Sequence, residues 1–214
     1  MSLSIPTTDW TAADLLARFG PIPLRRIRHD PAPGTATEAD VIELYEREKR
    51  LYELVDGVLV EKTMGIQESY LAAWLGGILG EFARTHQLGF VLGADGMARL
   101  APGLVRIPDV SFISWKQVPS RRVPRQPMLD FAPVLAVEVL SPNNTSEEMD
   151  RKLQDYFQSG VQLVWYIDDV KRTVQVFTAI DQSTLLHEAD TLTGGSILPG
   201  WSLPLRDLFA ELEQ

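Results

Sequence analysis

The rhythm of hydrophobic and polar positions changes several times along the chain. Thr11, Ala12, Ala13 and Asp14 predict a capped short helix running to Phe19, with Gly20 as its stop. Between Gly20 and Gly34, Pro21, Pro23, Pro31 and Pro33 lie among Arg25, Arg26, Arg28 and His29, a stretch that reads as a tether. Residues 37–50 predict a surface helix whose apolar stripe is Val41, Leu44 and Tyr45. From Leu51 the period becomes two, and Asp56-Gly57 between two such runs predicts a hairpin. Residues 66–86 return to helical spacing, with Tyr70, Leu71, Trp74, Leu75, Ile78, Leu79 and Phe82 on a wide apolar face and Gly89 as the stop.

Strands are expected at 90–100, 104–114 and 134–140, with a basic, proline-rich loop over 116–127. A helix over 146–159 has Glu147 and Glu148 in its first turn and stops at Gly160. Further strands are predicted at 162–167 and 173–179, with a weaker one at 184–188, and a short helix over 204–212 follows. This mixture gives an α/β class: a mixed sheet flanked by helices. The organisation expected is an N-terminal helical extension and tether over residues 1–50 and a main domain over 51–214.

Composition narrows the class. A chain of 214 residues supports one generous domain, and 45% hydrophobic with 23% charged residues is ordinary for a globular protein. Lys and Arg number 20 against 29 Asp and Glu, a net charge of −9, which argues against coating nucleic acid through bulk charge. No apolar run approaches the roughly 20 residues that span a bilayer, and the first residues lack a basic start before an apolar stretch, so a cytoplasmic protein without membrane contact is expected. The absence of cysteine removes disulfides and thiolate chemistry, and His29, His86 and His187 are not at ligand spacing. Carboxylates are then the expected ligands for any metal, and they suit hard cations such as Mg2+ or Mn2+.

Two acids stand in segments that otherwise read as buried strands: Asp109 within Val105 to Ile113, and Glu138 within Val134 to Leu140. A carboxylate there is costly unless paired or bound to metal. After Glu138 the strand breaks at Ser141-Pro142-Asn143-Asn144, and the next helix presents Asp150, Lys152 and Tyr156, the last two on one face. Folding that helix back along the strand brings Lys152 toward the acids. Two acids for a divalent cation with a lysine beside them can hydrolyse a phosphodiester: the metal activates water and the ammonium offsets developing charge.

Tyr52-Glu53-Leu54-Val55-Asp56-Gly57, Pro108-Asp109-Val110, Glu138-Val139-Leu140-Ser141-Pro142, Asp150 with Lys152 and Tyr156, Gly160-Val161, and Trp165 through Asp168 occur in order. Each is weak alone, but in this order and spacing they are specific. From Leu51 onward the chain resembles the large bacterial restriction endonuclease family of the PD-(D/E)XK nuclease superfamily. The resemblance implies a restriction-endonuclease-like mixed sheet, a divalent-metal site and DNA as substrate. It also implies Asp109 and Glu138 as metal ligands, with Glu53 as a further ligand or supporting group. The common motif has lysine two residues after the second acid, where this chain has Leu140; Lys152, fourteen positions beyond Glu138, takes its place. Many relatives carry a histidine after the first hairpin, where this chain has Gln67-Glu68.

The leading expectation is a Mg2+- or Mn2+-dependent DNA endonuclease with Asp109, Glu138 and Lys152 catalytic. Arg121, Arg122 and Tyr156 are candidate substrate contacts. Lys116 and Arg125 belong to the same basic loop, near Asp109 in sequence, and Trp115 is a possible stacking surface. The alternative is a catalytically inactive nuclease fold acting as a binding or assembly module, motivated by the charge, Leu140 and the missing histidine. A third reading is a metal-free protein whose acids are merely salt-bridged; there Lys152→Met destabilises the fold by about 3–5 kcal/mol, whereas a solvated catalytic lysine spares the melting temperature. The N-terminal extension and Trp201 near the C-terminus offer apolar surface for a homodimer.

Overall fold

The computed structural model describes residues 10–213. Helix α1 (Ala12–Phe19) begins where Thr11 Oγ1 accepts from the Asp14 N–H and Asp14 accepts from the Thr11 N–H, and it ends at Gly20, φ 70°. One 3₁₀ turn (Leu24–Arg26) follows, and Ile27 forms a β-bridge with Val60. The stretch expected as a tether is therefore packed. Ile22 and Ile27 are buried with Leu15 and Phe19 against Val55, Val58 and Val60, and this apolar burial outweighs the extended, proline-rich character.

Helix α2 (Glu38–Glu48) starts from a Thr37–Asp40 capping box. It precedes the hairpin of β1 (Tyr52–Val55) and β2 (Val58–Glu61). Asp56 and Gly57 at its tip have φ of 50° and 72°, the paired positive values that match the strands' twist. Helix α3 (Ile66–Thr85) leads to β3 (Gly89–Leu92), so Gly89 opens a strand. A Cβ at Gly89 would lie 1.9 Å from the Ile113 carbonyl oxygen, which explains the glycine.

The remaining elements are β4 (Ala98–Ala101), β5 (Leu104–Arg106), β6 (Val110–Ser114), β7 (Leu135–Val139), α4 (Ser146–Gln158), β8 (Leu163–Asp168), β9 (Thr173–Ala179), β10 (Gln182–His187), β11 (Thr191–Thr193), β12 (Ser202–Pro204) and α5 (Leu205–Ala210). They build a six-stranded sheet in the order β10-β9-β8-β7-β6-β3, a four-stranded sheet β2-β1-β5-β4, and the pair β11-β12. Of the pairings in the large sheet, β7 with β8 is parallel, with α4 as the crossover. The runs 90–100 and 104–114, expected as single strands, are each divided between the two larger sheets. Residues 93–97 turn the chain in the first. In the second, Pro108 lacks the N–H a continuous strand requires, and the chain crosses from one sheet to the other at Ile107-Pro108.

Helices α3 and α5 cover one face of the large sheet through Leu71, Leu75, Leu79, Leu208 and Phe209, packed on Val110, Val137 and Trp165. Helix α4 covers the other through Met149, Leu153 and Tyr156, against Ala136, Val164 and Tyr166. Helix α2 packs on the four-stranded sheet. Trp201 stacks on Trp165 with ring centroids 5.4 Å apart, and Leu15 and Phe19 pack inward, while Leu16 and Leu24 of the first 50 residues stay exposed. Among the described residues no helix is long and apolar enough to cross a membrane.

Candidate active site

The two larger sheets meet where the chain crosses between them, and the sequence-predicted acids lie at that junction. In the large sheet Val110 faces Val137, so the register continues to Asp109 opposite Glu138, both on the α4 face. In the smaller sheet Leu54 faces Val105, which sets Glu53 opposite Arg106. The crossing at Ile107-Pro108 links the two pairs, and α4 presents Lys152 to both: its Nζ lies 3.1 Å from Glu53 Oε1 and 3.1 Å from Glu138 Oε1. Tyr156, one turn on, donates from its hydroxyl to Glu138. The shared face expected of Lys152 and Tyr156 thus converges on one carboxylate.

Each acid has a defined set of partners. Glu53 accepts from Arg106 Nη1 at 2.7 Å and from the Ile107 N–H at 3.1 Å. Arg106 also donates to Asp155 of α4. Asp109 Oδ2 accepts from the Val139 N–H at 2.7 Å, and Oδ1 lies 2.8 Å from Lys62 Nζ. Lys62 donates in addition to the Ile107 carbonyl at 2.6 Å. Buried Glu53, Asp109 and Glu138 are therefore neutralised by Lys62, Arg106 and Lys152.

Burial and charge act in opposite directions on these groups. Burial alone would raise the Glu53 pKa, but Lys152, Arg106 and the Ile107 N–H pull it down to about 2. Glu138 moves the other way: burial dominates, Lys152 opposes it, and the nearby Asp109 carboxylate adds repulsion, leaving the carboxyl above its ordinary value. Burial would favour neutral Lys152, yet the two glutamates hold it above the usual lysine value, so it is a firm ammonium. Burial and the adjacent Glu138 push the Tyr156 hydroxyl well above its normal range.

A narrow cleft of about 20 Å³, room for one water or one ion, opens on this cluster. Asp109, Glu138, Lys62 and Lys152 line it together with Arg26, Glu68 and Asn144. Arg26 belongs to the N-terminal extension; its guanidinium makes two hydrogen bonds to Glu148, at 2.8 and 3.1 Å, and one to the Glu61 carbonyl at 3.0 Å. Glu68 lies in the first turn of α3, folded over Gly65, where an added Cβ would sit 2.2 Å from Glu68 Oε2.

Several expected roles do not fit this geometry. Among the described residues no group of three carboxylates or imidazoles is gathered to hold one ion, and Glu53, expected as a further ligand beside Asp109 and Glu138, accepts from Arg106 and the Ile107 N–H and lies 3.1 Å from Lys152. Tyr156 is fully buried and touches Glu138, which removes it from substrate contact. Arg121 donates to the Gln87 carbonyl, and the loop carrying it and Arg122 leaves β6 at the end opposite Asp109, about 17 Å away at the usual strand rise. Nearness in sequence did not become nearness in space. Trp115, in the same region, packs on Phe90 with centroids 5.2 Å apart.

Sequence reasoning missed Lys62, Arg106 and Glu68, while Arg26, readable as a contact to another part of the protein or as simple solubility, makes the contact, to Glu148. Arg106, a guanidinium inside an apolar strand, was a readable signal. Lys62 follows its hairpin like an ordinary solvated strand end, and Glu68 looks like a helix-start acid.

A family model described as "Putative restriction endonuclease", the Uma2 family, matches residues 39–206. The chain belongs to the Uma2 family. The matched span holds β1, the Asp109–Glu138 pair and α4, so the whole acid–lysine cluster is inside the family's domain. The chain is also similar to the crystal structure of a putative nuclease belonging to DUF820 from Anabaena variabilis, with a TM-score of 0.68 and 18% identity over 77% of this chain and 92% of that one. At that identity the likeness speaks for the fold, which is restriction-endonuclease-like. No curated protein matches the chain.

Proposed function

We propose that this Uma2 protein is a divalent-metal-dependent DNA endonuclease, with Asp109 and Glu138 as ligands for Mg2+ or Mn2+ and Lys152 as the electrostatic catalyst. The observation that carries this reading is the cross-strand Asp109–Glu138 pair with the Lys152 ammonium 3.1 Å from Glu138, at the base of an open cleft. The donor set fits the metal: it consists of hard oxygens, and Mg2+ commonly takes one or two carboxylates and leaves its other positions to water and substrate phosphate. Bound there, the ion would lower the pKa of a coordinated water and neutralise a phosphate oxygen.

The chain's own groups complete the chemistry. The two glutamates favour the Lys152 ammonium, which suits it to donate to charge developing on the phosphate. Glu53 fixes that ammonium from behind, and Tyr156 fixes the Glu138 carboxylate. Arg26 and Lys62 add positive charge to the cleft, so a protein of net charge −9 meets DNA locally, in the cytoplasm, with steep salt dependence.

The test is cleavage of supercoiled plasmid in Mn2+ by the parent and by Asp109→Asn and Glu138→Gln. Nicking by the parent and its loss by at least about a hundredfold in each variant supports the reading. Equal activity of variants and parent overturns it. One observation favours the alternative of an inactive binding or assembly module: the cluster is charge-balanced without a metal, with Leu140 in place of the motif lysine. Titration calorimetry with Mn2+ and with DNA separates the two, since a pure assembly module binds neither.

A further inference from the structure

Beside the acid–lysine cleft lies a larger, mostly apolar pocket of about 550 Å³, within the range of small-molecule sites. The two share Ser141 and Asn144 in the turn between β7 and α4. Strand pairing makes the closeness structural: Glu138 of β7 faces Tyr166 of β8, and Tyr166, 7% exposed, contributes to the pocket's lining. Its hydroxyl donates to the Met149 carbonyl at 2.7 Å, and Phe177 meets its ring edge-on at 5.1 Å, so the aromatic pair is fixed. Leu140 and Met149 line the wall, and Val170, 78% exposed, stands at the mouth.

The charges of the pocket say which part of a nucleotide it suits. Its one cation, Lys171, is paired with Asp168 at 2.8 Å. Asp150, exposed on the rim, has no hydrogen-bond or ion-pair partner among the described residues. An apolar, aromatic cavity with a free carboxylate repels phosphate. It suits a base that stacks on an aromatic ring and offers an amino group, as cytosine N4 and adenine N6 do. The adjoining cleft is lined by three cations, Arg26, Lys62 and Lys152, each paired with a carboxylate; a divalent ion held by Asp109 and Glu138 would free part of that positive charge for the backbone.

We propose that this pocket receives one unpaired, amino-bearing base of the substrate strand while a neighbouring phosphate lies across the mouth of the acid–lysine cleft. The proposal rests on the nuclease reading and gives it a substrate class: single-stranded or locally opened DNA. Asp150 is the group that reads the amino edge, and Phe177, half-buried and braced edge-on by the buried Tyr166, supplies the stacking surface.

The experiment uses single-stranded oligonucleotides with one 2-aminopurine, and a matching series with one abasic site, moved stepwise along the strand. Binding is read as 2-aminopurine fluorescence in calcium-containing buffer, and cleavage as kcat/KM in Mn2+. The parent should change the fluorescence at one position and cut the strand abasic at that position roughly tenfold or more slowly. Asp150→Ala should abolish the preference for cytosine over thymine there, and Val170→Trp, which fills the mouth from a solvent-exposed site, should abolish the fluorescence change. If the parent cuts but both readouts are the same in parent and variants at every position, the pocket assignment is overturned and the nuclease reading stands. A position-specific fluorescence change without cleavage upholds the pocket and overturns the nuclease reading; neither signal overturns both.

Discussion

Lys152→Met removes the ammonium that Glu53 and Glu138 share and leaves the apolar stem in place. The side chain is 6% exposed, so water cannot solvate the carboxylates it abandons. Breaking a buried ion pair by deleting one partner costs about 3–5 kcal/mol. For a chain of this size each kcal/mol is worth about 2–4 °C, so the melting temperature should fall by roughly 6–20 °C. Glu138→Gln added to Lys152→Met should recover part of that loss, because Glu138 otherwise keeps only the Tyr156 hydroxyl, whereas Glu53 retains Arg106; the two changes should be strongly non-additive. Mn2+ should raise the melting temperature of Lys152→Met more than that of the parent, since a cation at Asp109 and Glu138 replaces missing positive charge. The assay is thermal unfolding followed by circular dichroism. A loss below about 3 °C, or additive behaviour of the double variant, refutes the charge balance described for the site. The contrast drawn from sequence, between a structural lysine that stabilises and a catalytic one that does not, disappears for so buried a residue.

Three further outcomes follow from the same geometry. Glu53, with a folded pKa of about 2 against the ordinary 4.5, favours the folded state wherever it is ionised; that stability is complete above about pH 5 and is lost as the pH falls toward 2. The urea midpoint should therefore drop between about pH 6 and pH 3, and drop less in Glu53→Gln; identical losses would remove Glu53 as the cause. Arg26→Met, which breaks the buried pair with Glu148 and the bond to the Glu61 carbonyl, should lower the melting temperature by several degrees and reduce kcat by loosening the start of α4. Unchanged stability would show that the N-terminal extension does not brace the site. Gly57→Ala should lower the urea midpoint more than Gly103→Ala: both have positive φ, of 72° and 75°, but a Cβ at 57 meets the Gly34 backbone at 2.5 Å and one at 103 meets nothing within 4 Å. Equal losses would mean that conformation alone, and not the close approach, decides.

Local chemistry made much of the fold legible. Capping residues at Thr11 and Thr37, the Asp56-Gly57 turn and the helical spacing of residues 66–86 each determine structure within a few neighbours. The division of 90–100 and 104–114 between two sheets is different, because alternating apolar residues look the same whichever sheet they join. Pro108 in one run and Gly93 with Asp95-Gly96 in the other were the visible signs of a break. At the site, Asp109 and Glu138 stood out because charge in an apolar run needs a reason, and Lys152 because it shares a helix face with Tyr156 just after the strand that carries Glu138. The partners Lys62 and Arg26 did not, since arginine and lysine near turns are usually solvated, and only the tertiary contact with Asp109 or Glu148 gives them a role. The basic loop misled for the opposite reason: it follows Asp109 in sequence, yet β6 carries it to the far end of the sheet.

The central claim is that Asp109 and Glu138 together hold a divalent cation. Crystals grown with Mn2+ test it most directly, through anomalous scattering at the manganese edge. The account predicts a single peak within coordinating distance of both carboxylates, with Lys62 drawn away from Asp109. Saturating Mn2+ with no peak at that position, and with the Lys62–Asp109 and Lys152–Glu138 pairs intact, would contradict it.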